Sequence, residues 1–371
     1  MKTGIVKLSH FSVKEYLLST RIEKGFSISE EASHSKISEI CVAYLLQFNS
    51  FMPLTYAMLD FSPLAWYAAQ HWIDHAKSGG MVTAVLRLIL KLFSSENAAF
   101  TNWIRLYNID EIWRGEENLS MDRAEVLSPL YYASLAGLQE VSQHLLEHEA
   151  DVNAQGGSCG NALQAASDGG HEAIVKLLLE HGADVNAQGG EYGYALQAAS
   201  CGGHEAIVKL LLEHGADVNA QGGFYGNALQ AASCRGHEAI VKLLLEKGTD
   251  MNAQGGEYGN ALQAASDGGH TAIVNLLLEK GTDVNAQGGK YGNALQAASY
   301  LGHKAIVKLL LEHGADVNAP GGEYANALQT ASYLGHKAIV KLMLEKGSDV
   351  NSVAMDDVSD PGIRKLLREA N

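Results

Sequence analysis

Six histidines recur at a constant interval in the second part of the chain, and a row of imidazoles is the first pattern here that could bind a metal ion. They are His171, His204, His237, His270, His303 and His336. A Zn²⁺ ion needs nitrogen ligands at about 2 Å, whereas stacked copies of a helical unit place equivalent residues about 10 Å apart. We therefore interpret these histidines as structural residues at helix starts, and we predict neither a metal site nor a cofactor.

Two cysteines also recur at the interval of the repeat, and they could form a disulfide bond only if they lay close together. Cys201 and Cys234 occupy one position of neighbouring units, so the same spacing is too wide for a disulfide without distortion. The chain has four cysteines, no C-x-x-C pair and no apolar secretory leader at its start. These features predict a reducing compartment, namely the cytoplasm, with the nucleus as the alternative.

Motifs of the common catalytic sites are missing from the sequence. It contains no G-x-x-x-x-G-K-[ST] loop for a nucleotide phosphate, no G-x-S-x-G turn for a serine nucleophile and no pair of residues suited to acid–base catalysis. The aspartates that recur once per unit, of which Asp184 is one, lie in turn-rich stretches where Asp is a common turn former. We therefore predict that the protein is not an enzyme.

Charge is distributed unevenly along the 371 residues, whose net charge is −15. Residues 1–126 carry 12 Lys and Arg against 14 Asp and Glu, and residues 127–371 carry 15 against 28. The acidic second part disfavours binding to nucleic-acid phosphates and suits a basic protein partner. The most apolar run, Met81 to Phe93, is short and interrupted by Arg87 and Lys91, so we predict no membrane span.

The recurring unit is 33 residues long and predicts two helices joined by a turn. Asn161 is a good N-cap, and Gln164 three residues later can complete a capping box. Gly169 and Gly170 end this first helix, and a second helix follows from about His171 to His181 with a broad apolar stripe. Gly182 fits the left-handed residue after a helix end. A fixed period of this kind is typical of a stacked solenoid.

The second helix and its flanks, G-H-x-x-I-V-x-L-L-L-x-x-G-A-D-V-N-A, resemble the ankyrin repeat over about 225 residues. The resemblance implies an all-α ankyrin-repeat solenoid of seven repeats within residues 127–352, beginning near 127, 157, 190, 223, 256, 289 and 322. Residues 353–371 are expected to form a polar-faced capping helix. The first helix departs from the family, because it reads N-A-L-Q where ankyrin repeats usually read T-P-L-H.

Residues 1–126 have no repeat and predict a smaller helical domain, with helices near 12–20, 31–47, 60–78, 81–93 and 97–107. The aromatic residues between Phe61 and Trp72 have helical spacing, which favours core packing over a ligand site. The stretch from Val6 to Ser19 resembles the winged-helix-like region of filamentous-fungal NACHT–ankyrin proteins. The stretches Pro63 to Ala69 and Phe100 to Leu106 resemble the helical region downstream of it.

Positions that vary among the repeats are candidates for partner binding, because the stack does not constrain them. Three such positions lie at the turn before the first helix and at the end of that helix. A fourth variable position is the start of the second helix, which reads Glu172, Glu205, Glu238, Thr271, Lys304 and Lys337 in successive repeats. In ankyrin proteins the first three positions line a concave groove. The resemblance therefore implies a protein partner at Glu191, Phe224, Glu257, Lys290, Glu323, Asp168, Arg235, Asp267, Tyr300, Leu301, Tyr333 and Leu334.

These observations lead to one functional hypothesis and one alternative. The first is a monomeric protein-interaction module that serves as the ligand-recognition arm of a fungal NLR-like receptor, or as a truncated version of one. The alternative is a stand-alone ankyrin adaptor or inhibitor that binds a basic segment of a regulatory protein. An ATP-driven switch would require a P-loop that this sequence does not contain.

Overall fold

The computed structural model describes residues 29–50, 54–94, 98–111, 119–322 and 326–370. The chain divides into two compact units, Met1–Ala150 and Asp151–Asn371. The helix predicted at 12–20, the stretch from Val6 to Ser19 and Glu323 lie outside the described residues. No helix of the described part is long and apolar enough to cross a membrane.

The first unit is built from helices. They are α1 (Glu30–Leu45), α2 (Tyr56–Asp60), α3 (Ala65–Gly79), α4 (Thr83–Leu92), α5 (Ala98–Leu106), a 3₁₀ turn (Arg123–Glu125), α6 (Pro129–Leu135) and α7 (Gln139–Glu147). Helix α1 packs along α3, and α4 packs against α7. The first predicted repeat, α6 and α7, thus belongs to the same compact unit as the preceding helices.

The prediction of a single helix over residues 60–78 is wrong at the start of that range. The structure has a short helix ending at Asp60 and a new helix beginning at Ala65. Pro63 explains the break, because the residue before a proline is disfavoured in helical conformation. Phe61 lies in the break and is 89% exposed, so it is not the core residue that its spacing indicated.

Tyr67 is also exposed, at 45%, whereas Trp72 and other large aromatic residues of this unit form its core, as their helical spacing predicts. Trp72 and Trp103 are fully buried, with their ring centroids 5.2 Å apart in an edge-to-face arrangement. Phe93 and Phe100 extend the cluster. The indole N–H of Trp103 donates to the carbonyl oxygen of Ala69 at 3.0 Å, which satisfies a polar group that burial would otherwise make costly.

The second unit is a regular array of helix pairs. Each pair has a first helix of seven or eight residues and a second helix of nine. The pairs are α8 (Ala162–Asp168) and α9 (Glu172–Glu180), α10 (Ala195–Gly202) and α11 (Glu205–Glu213), α12 (Ala228–Arg235) and α13 (Glu238–Glu246), α14 (Ala261–Asp267) and α15 (Thr271–Glu279), α16 (Ala294–Tyr300) and α17 (Lys304–Glu312), and α18 (Ala327–Tyr333) and α19 (Lys337–Glu345).

Turn chemistry explains why the helices begin and end where they do. The side chain of Asn161 accepts a hydrogen bond from the backbone N–H of Gln164 at 2.9 Å, which confirms the predicted N-cap. Gly170 has φ +72° and Gly182 has φ +82°, a region that favours glycine. Tyr194 is the exception among the first-helix starts, because its side chain caps nothing.

Short hairpins connect the helix pairs. The first consists of β1 (Gln155–Gly156) and β2 (Gly160–Asn161), which pair antiparallel, and single bridges such as Gly189 with Gly193 mark the others. Gln164 ties one repeat to the next, since its amide nitrogen donates to the carbonyl oxygens of Gly189 and Gly193 at 3.0 and 2.9 Å. This contact gives the glutamine of the first-helix motif a role in joining successive repeats.

A final helix, α20 (Pro361–Ala370), follows two 3₁₀ turns, Val350–Ser352 and Met355–Asp357. It packs against α19 and buries Ile363 and Leu367. Arg364, Lys365 and Arg368 are spread over its other faces. An apolar stripe on one side and charges on the rest are the pattern that a helix at the end of a stack requires.

Candidate partner-binding surface

Backbone hydrogen bonds join the hairpin tips of successive repeats. The backbone N–H of Glu191 donates to the carbonyl oxygen of Ser158 at 2.8 Å, and that of Phe224 donates to Glu191 at 2.8 Å. Glu257 and Lys290 continue the series at 2.9 and 3.0 Å. The variable turn residues therefore stand side by side in one row, which we call the tip row. Glu323, the remaining predicted member, lies outside the described residues.

The side chains of the tip row differ in chemistry and in exposure. Glu191 is exposed, and the ring of Phe224 is 48% exposed. Glu257 and Lys290 are half-buried and form an ion pair at 3.2 Å. A surface ion pair of this kind contributes little to stability, about 1 kcal/mol at most. The row thus offers a carboxylate and an aromatic ring in its first part and a neutralised pair in its second.

A column of tyrosines, which the variable positions of the sequence did not predict, runs beside the tip row. Tyr192 and Tyr225 stack with ring centroids 6.5 Å apart, and Tyr225 and Tyr258 with centroids 6.1 Å apart. Phe224 meets Tyr225 and Tyr258 edge-to-face at 5.1 and 5.9 Å. Tyr291 continues the column in the next repeat. Tyrosine holds this position in every repeat from Tyr192 onward and only Cys159 replaces it in the repeat before, so a comparison of the repeats assigns the position to the stack.

The residues at the ends of the first helices contact this tyrosine column, so they are not in contact with solvent only. The phenol of Tyr192 hydrogen-bonds Asp168, that of Tyr225 hydrogen-bonds Cys201, and that of Tyr258 hydrogen-bonds Cys234. Burial is the main cause that raises the pKa of all three phenols, and the hydrogen bonds raise it further. The phenols are therefore neutral donors at physiological pH.

Cys201 and Cys234 act in this cluster as hydrogen-bonding and packing groups. Cys201 is buried and Cys234 is half-buried. Burial raises the pKa of the Cys234 thiol, which keeps it protonated and a weak nucleophile. All four cysteines of the chain are free thiols.

Two cations lie over the tyrosine rings. The guanidinium carbon of Arg235 is 5.9 Å from the centroid of Tyr225, and the ammonium nitrogen of Lys290 is 4.8 Å from the centroid of Tyr291. Such placement favours cation–π attraction. Arg235 is exposed, so its charge remains accessible beside the column.

The predicted residues of the last two repeats separate into two groups. Leu301 and Leu334 are each 41% exposed and Tyr333 is 63% exposed, as expected for contact residues. Tyr300 is half-buried, because its ring packs against Tyr291 at 5.4 Å. Asp267 is also half-buried. The structure thus groups Glu191, Phe224, Arg235, Glu257 and Lys290 around the tyrosine column, and it places Leu301, Tyr333 and Leu334 at the helix turns of later repeats.

The aligned histidines connect adjacent repeats. The Nε2–H of His204 donates to the carbonyl oxygen of Asp168 at 2.8 Å, and His237 makes the same contact with Cys201 at 2.9 Å. The structural interpretation of these residues is thereby confirmed. Within the described ranges, no group of three or more His, Cys, Asp or Glu side chains is arranged to hold a metal ion.

Comparison with known families agrees with this architecture. The family model for ankyrin repeats matches residues 106–189, 130–222, 188–255 and 261–354. The chain is an ankyrin-repeat protein. The ankyrin fold is generally a scaffold for protein–protein interaction without catalytic activity, and this chain shares that architecture.

Two known proteins illustrate the range of similar chains. Azaphilone pigments biosynthesis cluster protein L from Monascus ruber is 41% identical over 183 residues, which cover 44% of this chain and 38% of that protein. The chain therefore matches less than half the length of this relative. The ankyrin-repeat domain of human ASB11 superposes with a TM-score of 0.51 at 28% identity, covering 58% of this chain and 97% of that domain.

Proposed function

We propose that this ankyrin-repeat protein recognises a protein partner through the tip row and the tyrosine column, acting as the recognition arm of a larger signalling assembly. The observation that carries the proposal is Phe224, an aromatic side chain 48% exposed between rigid aromatic neighbours. Ordered aromatic residues of this kind are enriched at the energetic centres of interfaces, because little conformational entropy is lost when they bind.

Charged groups surround this aromatic centre in a way that selects a polar partner. Glu191 precedes Phe224 in the tip row, and Arg235 lies over the ring of Tyr225, which contacts Phe224. An apolar centre with a charged rim is typical of protein interfaces. Because the second part of the chain carries 15 basic against 28 acidic residues, the partner segment is expected to be basic near Glu191.

The finer identity of the assembly rests on residues 1–126. Their resemblance to fungal NACHT–ankyrin proteins supports a ligand-recognition arm of an NLR-like receptor, or a truncated version of one. A relative in the fungus Monascus ruber is consistent with a fungal origin. We place the functional boundaries at 1–126, 127–352 and 353–371, and the burial of Ile363 and Leu367 supports a capping role for the last segment.

A stand-alone adaptor or inhibitor is the second candidate, and the acidity of the repeats favours it. In that case a basic segment of a regulatory protein would occupy the tip row, with Glu191 as its main electrostatic contact. Both candidates place the protein in the cytoplasm, which the four free thiols support.

Affinity capture with matched variants tests the proposal. The chain is immobilised, incubated with fungal extract, and its retained proteins are quantified by mass spectrometry. Phe224→Ala together with Tyr333→Ala should reduce retention of a specific partner at least about tenfold, the effect of losing roughly 1.4 kcal/mol. Tyr300 is left intact, because it is half-buried against Tyr291 and its loss would disturb the stack.

Phe61→Ala is the control for this experiment, since Phe61 is an exposed aromatic residue outside the second unit. Equal retention by the Phe224 and Phe61 variants would contradict the proposed surface. A basic host regulator as the retained partner supports the adaptor, and a foreign or cell-wall-derived protein supports the receptor arm.

A further inference from the structure

The first residues of the second helices form a row in which charge reverses along the stack. We call this row the helix-start row. Its members are Glu172, Glu205, Glu238, Thr271, Lys304 and Lys337. Helices α9, α11, α13 and α15 each carry a net charge of −1 from their side chains, whereas α17 and α19 each carry +1.

The basic members of the row are exposed and form no ion pair among the described residues. Glu205 and Glu238 pair with lysines one turn later in their own helices. Lys304 and Lys337 are exposed, and neither forms an ion pair in the part of the chain that the structure describes, although the Lys337 ammonium lies near the Asp360 carboxylate at the start of α20. A lysine at a helix N-terminus also opposes the helix dipole. Lys304 thus carries a positive charge that no carboxylate within the described ranges pairs with.

The change from acidic to basic residues along the helix-start row is centred on one neutral residue. Thr271 is neutral and lies in the fifth repeat, with Glu238 one repeat before it and Lys304 one repeat after it. Glu205 and Lys337 follow at two repeats on either side. A two-fold axis through Thr271 would place Lys304 of one molecule opposite Glu238 of another, and Lys337 opposite Glu205. Because both molecules have the same 33-residue period, the two rows match in spacing.

The side chains next to the helix-start row also change in size on either side of the repeat that contains Thr271. The residues at the turn just before the helix-start row are Gly202, Arg235, Gly268, Leu301 and Leu334. Leu301 and Leu334 are each 41% exposed. Under the same two-fold axis, Leu334 faces Gly202 and Leu301 faces the aliphatic stem of Arg235. Large apolar side chains therefore meet small or aliphatic ones, which is the shape complementarity that an interface needs.

We propose that the chain forms an antiparallel homodimer through the helix-start row and the adjacent turns, with the two-fold axis at Thr271. Such an interface is isologous, so every contact occurs twice and the gain from one charge pair is doubled. The surface does not include the tip row, although Arg235, Leu301 and Leu334 are also candidate partner-binding residues, and the proposed dimer differs from the monomer predicted from the sequence. A dimer would present two tip rows to a partner.

Charge reversal tests the proposal on the full chain. The double variant Lys304→Glu, Lys337→Glu starts α17 and α19 with glutamate, as α11 and α13 already do. It is therefore expected to fold. Analytical ultracentrifugation at about 1 to 200 µM, the range in which weak dimers dissociate, should show a dimer for the natural chain. The variant should dissociate at concentrations at least about tenfold higher. Raising the salt concentration from about 0.05 to 0.5 M should weaken the natural dimer, because exposed charges are screened.

A mixing experiment identifies the partner of each charge. Glu205→Lys with Glu238→Lys should also prevent dimer formation, since it places like charges opposite each other. Mixing this basic variant with the acidic Lys304→Glu, Lys337→Glu variant should restore association as a heterodimer. The control is Lys280→Glu with Lys346→Glu, which makes the same change in net charge at the other ends of the second helices and should leave the dimer intact.

A cysteine on the axis tests the antiparallel register. Thr271→Cys should form an intermolecular disulfide under mild oxidation, because a residue on a two-fold axis is its own neighbour. Lys304→Cys, which would face residue 238, should not cross-link to itself. A natural chain that is monomeric over the whole concentration range, a dimer unaffected by the charge reversals, or cross-linking by Lys304→Cys but not by Thr271→Cys would overturn the proposal.

Discussion

The side chain of His237 donates from Nε2 to the carbonyl oxygen of Cys201, 36 residues earlier, at 2.9 Å. The contact joins the start of the second helix of one repeat to the end of the first helix of the preceding repeat. Gly203 allows it, because a Cβ at that position would lie 2.5 Å from the imidazole ring. Each histidine of the row therefore acts as a clamp between neighbouring repeats, and stability of the array depends on these local contacts.

We expect His237→Ala to lower the free energy of unfolding by about 1–3 kcal/mol, the cost of leaving a carbonyl group without its partner. Urea denaturation followed by circular dichroism measures the change. The matched control is His214→Ala, since His214 is exposed and its Nδ1 contacts only a carbonyl of its own helix. Equal losses in the two variants would argue against the clamp. A fall in melting temperature with EDTA would contradict the structural interpretation of the histidines.

Gln230→Ala is expected to be at least as destabilising, because one amide nitrogen serves three acceptors. It donates to the carbonyl oxygens of Ala253, Gly255 and Gly259 at 3.2, 3.3 and 2.7 Å. Removing it leaves buried carbonyls without a donor, at a cost of about 1–3 kcal/mol. Gln329→Ala in the last repeat is the control, since the described residues after Gln329 form no further hairpin and Gln329 is only half-buried. A larger loss at Gln329 than at Gln230 would refute this assignment.

Tyr194→Asn is expected to stabilise the array by about 1 kcal/mol. Asn227, at the equivalent position of the next repeat, accepts a hydrogen bond from the backbone N–H of Gln230 at 2.9 Å, whereas the Tyr194 side chain caps nothing. Asparagine at 194 should restore the missing cap. The converse substitution, Asn227→Tyr, should lower the urea midpoint by a similar amount. An unchanged or lower melting temperature for Tyr194→Asn would disprove the prediction.

Much of this fold follows from short-range chemistry and could be predicted from the sequence. The helix pairs, the Asn161 cap and the left-handed Gly182 depend on residues within a few positions of each other. The tyrosine column could not be predicted, because Tyr192 contacts Asp168 across a repeat boundary and its position varies too little among the repeats to mark a binding surface. Comparing repeats separates variable from constant residues, but a constant residue can support both the stack and a binding surface.

The first unit should lose stability in mild acid because of a histidine pair between α1 and α3. The Nδ1 atoms of His34 and His75 lie 2.7 Å apart, and the Nε2 of His75 hydrogen-bonds the Tyr67 hydroxyl at 2.9 Å. One Nδ1 must be unprotonated to accept the bond. Burial lowers the pKa of His75, the neighbouring His34 and His71 lower it further, and Asp74 opposes them.

The sign of the pH effect follows from this lowered pKa. The unfolded chain takes up the proton near pH 6.5, before the folded chain does, so stability is complete above that pH and falls as the pH drops towards the lower folded pKa. The four tryptophans of the sequence are Trp66, Trp72, Trp103 and Trp113, and the second unit, Asp151–Asn371, contains none, so tryptophan fluorescence does not report the unfolding of the second unit. The urea midpoint of the first unit should fall between pH 7.5 and pH 5.5, and His75→Gln should flatten the dependence. His181→Gln in the second unit is the control, and an equally steep decline in the His75 variant would show that other groups cause the effect.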